Sequence, residues 1–444
     1  MIKTDSRTTN ISYYRYLRNS SILLLLLTLA VMLAACSKAE EIVVEPDPII
    51  ANAVPVTAVM ASRYSEVIQD CAFSPDRSSP CTMQTLPLIG QEVTDPTIDD
   101  IMGRVVVSDE WMGIRFRELL EIMPPEIITL CKPITGIVIS GNIRPSKYRL
   151  TTGAIYIDPK DLWFTNEEKA TVEQGADYRS SYGLDLQFLA PWRYVLGDSY
   201  AFSGVDWSAE SRTMDDIKYR MAQLLFHELA HANDFIPYDR IDELSSSKTV
   251  IEEIAATLDD AVSARMQSAY PLTSQILTDL AQVRFKGEAS TQAQKDLTPE
   301  EVADEFKPDI ATDTYSYLTK YEDFAMLFEE LMMDYHFGIK RDLAITTYPQ
   351  GDNVAANDYL VAWGVRNRIA DPLLRDKALF AVSNILPDLD LATFLDTLST
   401  PVELEPGAGW IDAIAVGAAA KPDRLDRYKD MPASLLLFTA PDMQ

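Results

Sequence analysis

From Thr213 to Pro237 the chain reads TMDDIKYRMAQLLFHELAHANDFIP. Thr213 with Asp216 three residues later is the pattern of a capped helix start, and Asp215 and Asp216 suit the positive end of the helix dipole. Apolar side chains recur at Ile217, Met221, Leu224, Leu225 and Leu229, the period of a helix face turned to a core. Asn233 and Pro237 mark the end. The spacing therefore predicts one helix, with His227 and His231 one turn apart on the same face. Two imidazoles so placed reach one metal ion, and Glu228 beside them can take a proton from a water that the ion polarises. The 444-residue chain holds only three histidines, and two of them fall in this motif.

Upstream, residues 134–140 (ITGIVIS) and 153–158 (GAIYID) are β-rich runs. They read as neighbouring strands joined by a loop containing Pro145 and Lys147. The strand Gly153–Asp158 is a candidate sheet edge on which an extended peptide can pair. A helix is predicted near 110–122. The Tyr- and Trp-rich stretch 160–208 lacks a period and reads as a loop-rich insertion over a site. Downstream, helices are predicted at 249–267, 271–284, 314–336 and 371–385. Strands first and helices afterwards argue an α+β fold. It would divide into an α+β lobe at 61–240, carrying the active helix, and a mainly helical lobe at 241–444.

The motif His227-Glu228-Leu229-Ala230-His231 on its helix resembles that of the zincin superfamily, zinc metallopeptidases built around such a helix. The resemblance covers roughly residues 134–336. It implies a zincin-like α+β fold, zinc held by His227 and His231, Glu228 as general base and proton shuttle, and peptidase activity. Hydrolytic zinc takes three protein ligands and leaves a position open. The metzincin subgroup places its third ligand six residues after the second histidine, with a glycine at the third. Pro237 and Asp234 stand there in this chain, so that pattern fails. The remaining option is a distant acid on a later helix, as in gluzincins. Tyr321-Glu322-Asp323-Phe324-Ala325 is similar to the Glu-x-Phe-Ala stretch of lethal-factor-type zincins and makes Glu322 the third ligand, although Met326 stands where that pattern often has a second Glu. Glu252 and Glu253 match the shorter gluzincin spacing, and Glu329 and Glu330 are further alternatives. His336 shares a helix face with Glu322 and is a candidate transition-state stabiliser, with Tyr315, Tyr317, Tyr321 and Tyr335 as rivals. Asp234, on the His227/His231 face, is a candidate acceptor for an imidazole N–H.

The N-terminus carries Lys3, Arg7, Arg15 and Arg18 before an apolar run, Ile22 to Leu33, that is too short for a membrane span. Residues 1–35 read as an export signal. Leu33-Ala34-Ala35-Cys36 resembles a bacterial lipobox, which implies lipidation of Cys36, and Ser37 after it implies the outer membrane as destination. Residues 36–60, acidic and proline-containing, read as a tether. Export to an oxidising compartment makes Cys71 and Cys81, which bracket a short loop, a candidate disulfide, with Cys131 left over. Acidic side chains number 67 against 39 basic ones, a net charge of −28, and 47% of residues are hydrophobic. Such a composition excludes wholesale disorder and excludes nucleic acid as the partner. The expectation is a membrane-anchored zinc metallohydrolase acting on a peptide or protein substrate. Two alternatives stay open: a zinc hydrolase of a non-peptide substrate, and a zinc- or partner-binding envelope lipoprotein without peptidase activity. Glu228 favours an enzyme, because a structural zinc site needs ligands but no base.

Overall fold

Short apolar runs, buried on both faces, build the first of two sheets. The computed structural model describes residues 54–72, 81–351, 354–415, 425, 428–429 and 431–439. The expected leader, Cys36 and most of the tether lie outside them. The first sheet comprises β1 (Thr57–Ala58), β2 (Val105–Val107), β3 (Gly136–Ile139), β4 (Lys147–Arg149) and β5 (Ala154–Ile157), in the order β1-β2-β3-β5-β4. β2, β3 and β5 run parallel, and β1 and β4 close the edges antiparallel. Every residue of β2, β3 and β5 is buried, as parallel strands covered on both faces require.

The two runs read from sequence are thus neighbours, but Gly153–Asp158 is not a sheet edge. β5 lies between β3 and β4, and the edge is β4, in the segment expected to be a loop. Lys147 and Arg149 hid that strand, because its polar residues and the preceding Pro145 read as turn chemistry.

The second sheet takes its strands from both sides of the helix that carries His227 and His231. It consists of β6 (Phe188–Leu189), β7 (Trp192–Leu196), β8 (Ser199–Tyr200), β9 (Lys340–Thr347), β10 (Val361–Arg366) and β11 (Val402–Glu403), in the order β11-β10-β9-β7-β8, with β6 also on β9. Two expectations need correction here. The segment 160–208 is not only a loop: Trp192 and Tyr194 are fully buried in β7. The region 241–444 is mainly helical as expected but also contributes β9, β10 and β11, and β7 pairs with β9 across the division expected at 240. The sequence concealed β9 and β10 because their charged residues face inward as pairs. Asp342 takes Arg193 Nε at 2.8 Å and Arg366 Nε at 2.6 Å, so charges that look like solvent positions cross-link three strands.

The helices that frame the site are α1 (Pro125–Leu130), α2 (Met214–Phe235), α3 (Val250–Thr257), α4 (Val262–Ala269) and α5 (Lys320–Phe337). α2 starts as read: the Thr213 N–H donates to the Asp216 carboxylate at 2.7 Å. It is buried all round from Arg220 to Phe235, whereas its spacing suggested one buried face. α5 packs against it antiparallel, with Phe235 on Tyr321 at one end (4.9 Å) and Tyr219 on Phe337 at the other (5.3 Å). Asn233 ties α2 to α1 by donating to Leu130 O at 2.8 Å. A disulfide joins Cys71 to Cys81, and Cys131 is a buried free thiol. The architecture is α+β.

Asp342 is fully buried and neutralises two guanidinium groups. Asp342→Ala leaves Arg193 without a carboxylate and Arg366 with only Asp198 at 3.5 Å, and is expected to lower the unfolding free energy by about 3–5 kcal/mol, measured by urea denaturation. A loss below about 1 kcal/mol would show that the second sheet does not depend on this cluster.

Candidate metal centre

Three ligand atoms from α2 and α5 converge. His227 Nε2 and His231 Nε2 lie 3.2 Å apart, and Glu322 Oε2 lies 3.3 Å from the first and 3.4 Å from the second. A tetrahedron whose centre is about 2.0–2.1 Å from each corner has edges of about 3.3–3.4 Å, so the triangle has the dimensions of three ligands of a tetrahedral ion. His227, His231 and Glu322 are a possible metal-binding triad.

Local structure explains why Glu322 is available. Thr319 caps α5 and accepts the Glu322 N–H at 3.2 Å, which puts Glu322 three residues past the cap. A glutamate there ordinarily folds back on the cap. Glu252 does so in α3, accepting from Thr249 N at 2.8 Å. Glu322 instead turns its carboxylate to the imidazoles. Glu253 is engaged by Ser245 N at 3.1 Å and Lys248 Nζ at 3.2 Å, so neither α3 acid belongs to the triad.

Glu329 is seven residues after Glu322 on the same face of α5 and reaches the other imidazole nitrogen. Its Oε2 lies 3.1 Å from His227 Nδ1. It therefore orients the ring rather than ligating: a proton on Nδ1, held by the carboxylate, leaves the Nε2 lone pair directed at the triad. The same carboxylate accepts from Gln223 Nε2 at 2.6 Å and from Tyr194 OH at 3.0 Å, with Arg341 Nη1 at 3.5 Å. Asp234, the partner suggested by spacing, instead accepts the Ser263 N–H at 2.6 Å in the first turn of α4.

Glu228 is buried beside the triad. Its Oε2 accepts the backbone N–H of Tyr148 at 2.6 Å, and its Oε1 has no hydrogen-bond partner among the described residues. The Tyr148 N–H is thus turned away from β5, which places the outer edge of β4 against the general-base candidate. Burial raises the Glu228 pKa, and the two imidazoles and the Tyr148 N–H only partly offset it.

The cage demands positive charge. Burial opposes a charged His227, yet Glu322 and Glu329 outweigh it and raise the imidazole to about 10. Burial also opposes a charged Glu322, and both histidines outweigh it and hold the carboxyl far below its ordinary value.

The tyrosines separate cleanly. Tyr315 hydrogen-bonds Glu322; burial first, then Glu322, keeps its hydroxyl protonated. Tyr317 donates to Asp309 at 3.0 Å, Tyr321 packs on Phe235 and Tyr335 on Phe394. His336 is not at the site. Fourteen residues of helix put it about 21 Å along α5 from Glu322, where it stacks on Phe226 and faces Glu126 at 3.4 Å. Sharing a helix face does not bring it near the triad. Gln223, Tyr194, Arg341 and the Tyr148 N–H escaped the sequence reading, since no local pattern marks a group that acts through the fold.

Comparison with known proteins finds no matching family model, no similar curated protein and no similar solved structure.

Glu330 is no ligand either; its neighbours are Arg341, Glu329, Asp313 and Asp334. Burial raises its pKa from 4.5 to about 8. The folded chain therefore holds a proton there that the unfolded chain releases above its ordinary pKa, so this group's contribution to stability falls as pH rises across that window. Glu330→Gln is expected to flatten the decline of unfolding free energy between about pH 5 and 8. Parallel wild-type and variant curves from urea melts would contradict the assignment.

Proposed function

We propose that this chain is a zinc-dependent hydrolase, most specifically a peptidase of the zincin type. The observation that carries the proposal is the triad of His227, His231 and Glu322 at 3.2–3.4 Å, with a buried carboxylate, Glu228, whose Oε1 is unpartnered among the described residues. A structural site has no use for that fourth group. The two nitrogens and one oxygen suit zinc, and three ligands leave a position open. Zinc in this cage would supply Lewis acidity to a water and to the scissile carbonyl near neutral pH.

The chain's own groups do the rest. Glu228 takes the proton of the attacking water through Oε1 and later delivers it to the leaving amine, while the Tyr148 N–H holds Oε2 in place. Its raised pKa makes it a stronger base than an exposed glutamate. Glu329 keeps His227 in the ligating tautomer. Tyr315, a protonated hydroxyl beside Glu322, is the donor best placed to steady Glu322 or a developing oxyanion. The sheet edge at β4 beside Glu228 supports peptide as the substrate class, since an extended chain can lie along such an edge.

The export signal and the Leu33–Cys36 box support attachment to the bacterial envelope, facing an oxidising compartment, by a lipid on Cys36. Cys36→Ser is expected to shift the protein out of the detergent phase; unchanged partitioning removes the anchor.

Purified protein is expected to hold about one zinc per chain by elemental analysis. Glu322→Ala should lose both zinc and hydrolysis of a mixed peptide library. Glu228→Gln should keep the zinc and lose activity by about 10²–10⁴-fold. Full zinc occupancy in Glu322→Ala, or full activity in Glu228→Gln, would overturn the assignment.

A further inference from the structure

A cavity of about 630 Å³ adjoins the N-terminal half of α2, a size that suits a small ligand or a substrate side chain. Five cationic side chains line it, Arg144, Lys160, Arg179, Arg220 and Arg284, against two acids, Asp161 and Asp177. In a chain with 67 acids and 39 bases, so basic a wall stands out. Four of the five have carboxylate partners. Arg144 and Lys160 meet Asp158 at 2.7 and 3.9 Å, Arg179 meets Asp177 at 2.6 Å, and Arg220 meets Asp161 at 3.4 Å.

Arg284 is different. It is only 7% exposed, yet among the described residues no carboxylate pairs with it, and its hydrogen bond is a long one, Nη1 to Thr314 Oγ1 at 3.4 Å. Asp313, which helps to hold its proton, is already committed to Arg341 at 2.6 Å. Burial lowers the guanidinium to about 10, so the group is still charged at neutral pH. A buried cation without an anion is costly unless a ligand supplies the charge.

Its setting is built. Arg284 sits in a π-helical turn, Gln282–Lys286, a form concentrated at functional sites. The turn ends at Gly287 with φ +73°, where a Cβ would meet the Tyr182 ring at 2.6 Å. The rings of Phe188 and Phe285 flank the guanidinium carbon at 5.5 and 5.2 Å. Side-chain contacts link the cavity wall to the metal triad. Thr314 precedes Tyr315, which hydrogen-bonds Glu322, and Phe285 packs on Tyr315 at 4.9 Å. Arg220 lies two turns before His227, about 10 Å along α2.

Resting on the peptidase reading, we propose that this cavity is the specificity pocket of the site, and that Arg284 pairs there with a carboxylate of the substrate. An arginine fork matches a carboxylate in two parallel hydrogen bonds. That carboxylate is an acidic side chain or a free C-terminus near the scissile bond.

The test uses the zinc-loaded Glu228→Gln protein, so that binding is read without turnover. Four matched peptide pools are dialysed against it: Asp/Glu-containing or Asn/Gln-containing, each as free acid or C-terminal amide. Retained peptides are counted by mass spectrometry. Carboxylate-bearing peptides should be retained at least about tenfold over their neutral counterparts. Loss of retention on Asp/Glu replacement identifies a side chain, and loss on amidation identifies the C-terminus. Adding Arg284→Gln should abolish the preference, and Arg284→Lys should leave part of it. Equal retention of all four pools overturns the proposal even if Arg284→Gln fails to fold, and so does a preference that survives Arg284→Gln. Wild-type cleavage without acid preference removes the pocket and leaves the peptidase. Retention of acidic peptides that wild type never cleaves does the reverse.

Discussion

Glu329 has no contact with water, and a buried carboxylate is tolerable only if its oxygens are satisfied. Here the partners come from separate parts of the chain: Gln223 and His227 from α2, Tyr194 from β7 and Arg341 from β9. One side chain on α5 therefore links the helix pair to the second sheet. It also fixes which imidazole nitrogen is protonated, and so where the free lone pair points. Glu322, two turns earlier on the same helix, arrives at that lone pair because Glu329 has set the position of α5. Removing the link would free the ring and the helix together, which is why the centre and the fold are one problem of satisfaction.

The electrostatics follow from the same crowding. Glu322, Glu329 and Glu228 surround two imidazoles in a space with little water. Glu322 and Glu329 outweigh the cost of burial and raise His227 to about 10, so the cage attracts a cation, whether a proton or a metal. Glu228 is held differently. Burial raises its pKa and, among the described residues, only one of its oxygens has a donor, which leaves the other to accept a proton. Glu322 and Glu228, which feel each other's charge, thus take opposite roles because one faces the imidazole nitrogens and the other faces a backbone N–H.

Much of this was legible in the letters of the chain. The capped start at Thr213, the helical period and the spacing of His227 and His231 carry their information locally. The Glu322 assignment came from a short stretch, Tyr321 to Ala325, and the triangle of ligand atoms agrees with it. What stayed hidden depends on long-range partners. β9 and β10 read poorly as strands because Arg341, Asp342 and Arg366 are charged, and only their pairing makes such residues core residues. His336 shows the converse error: helix periodicity gives a face but not a distance, and about 21 Å along α5 separates it from Glu322. The edge role passed from β5 to β4 for a similar reason, since pairing partners, not composition, decide which strand is last.

The proposed metal centre is open and takes two imidazole nitrogens and one carboxylate oxygen from the chain. X-ray absorption at the zinc edge of the purified protein tests it most directly. Four light-atom neighbours are expected at about 2.0–2.1 Å, with the multiple-scattering signature of two imidazoles and no sulfur. A sulfur neighbour at about 2.3 Å, or a signature of fewer than two imidazoles, would contradict it.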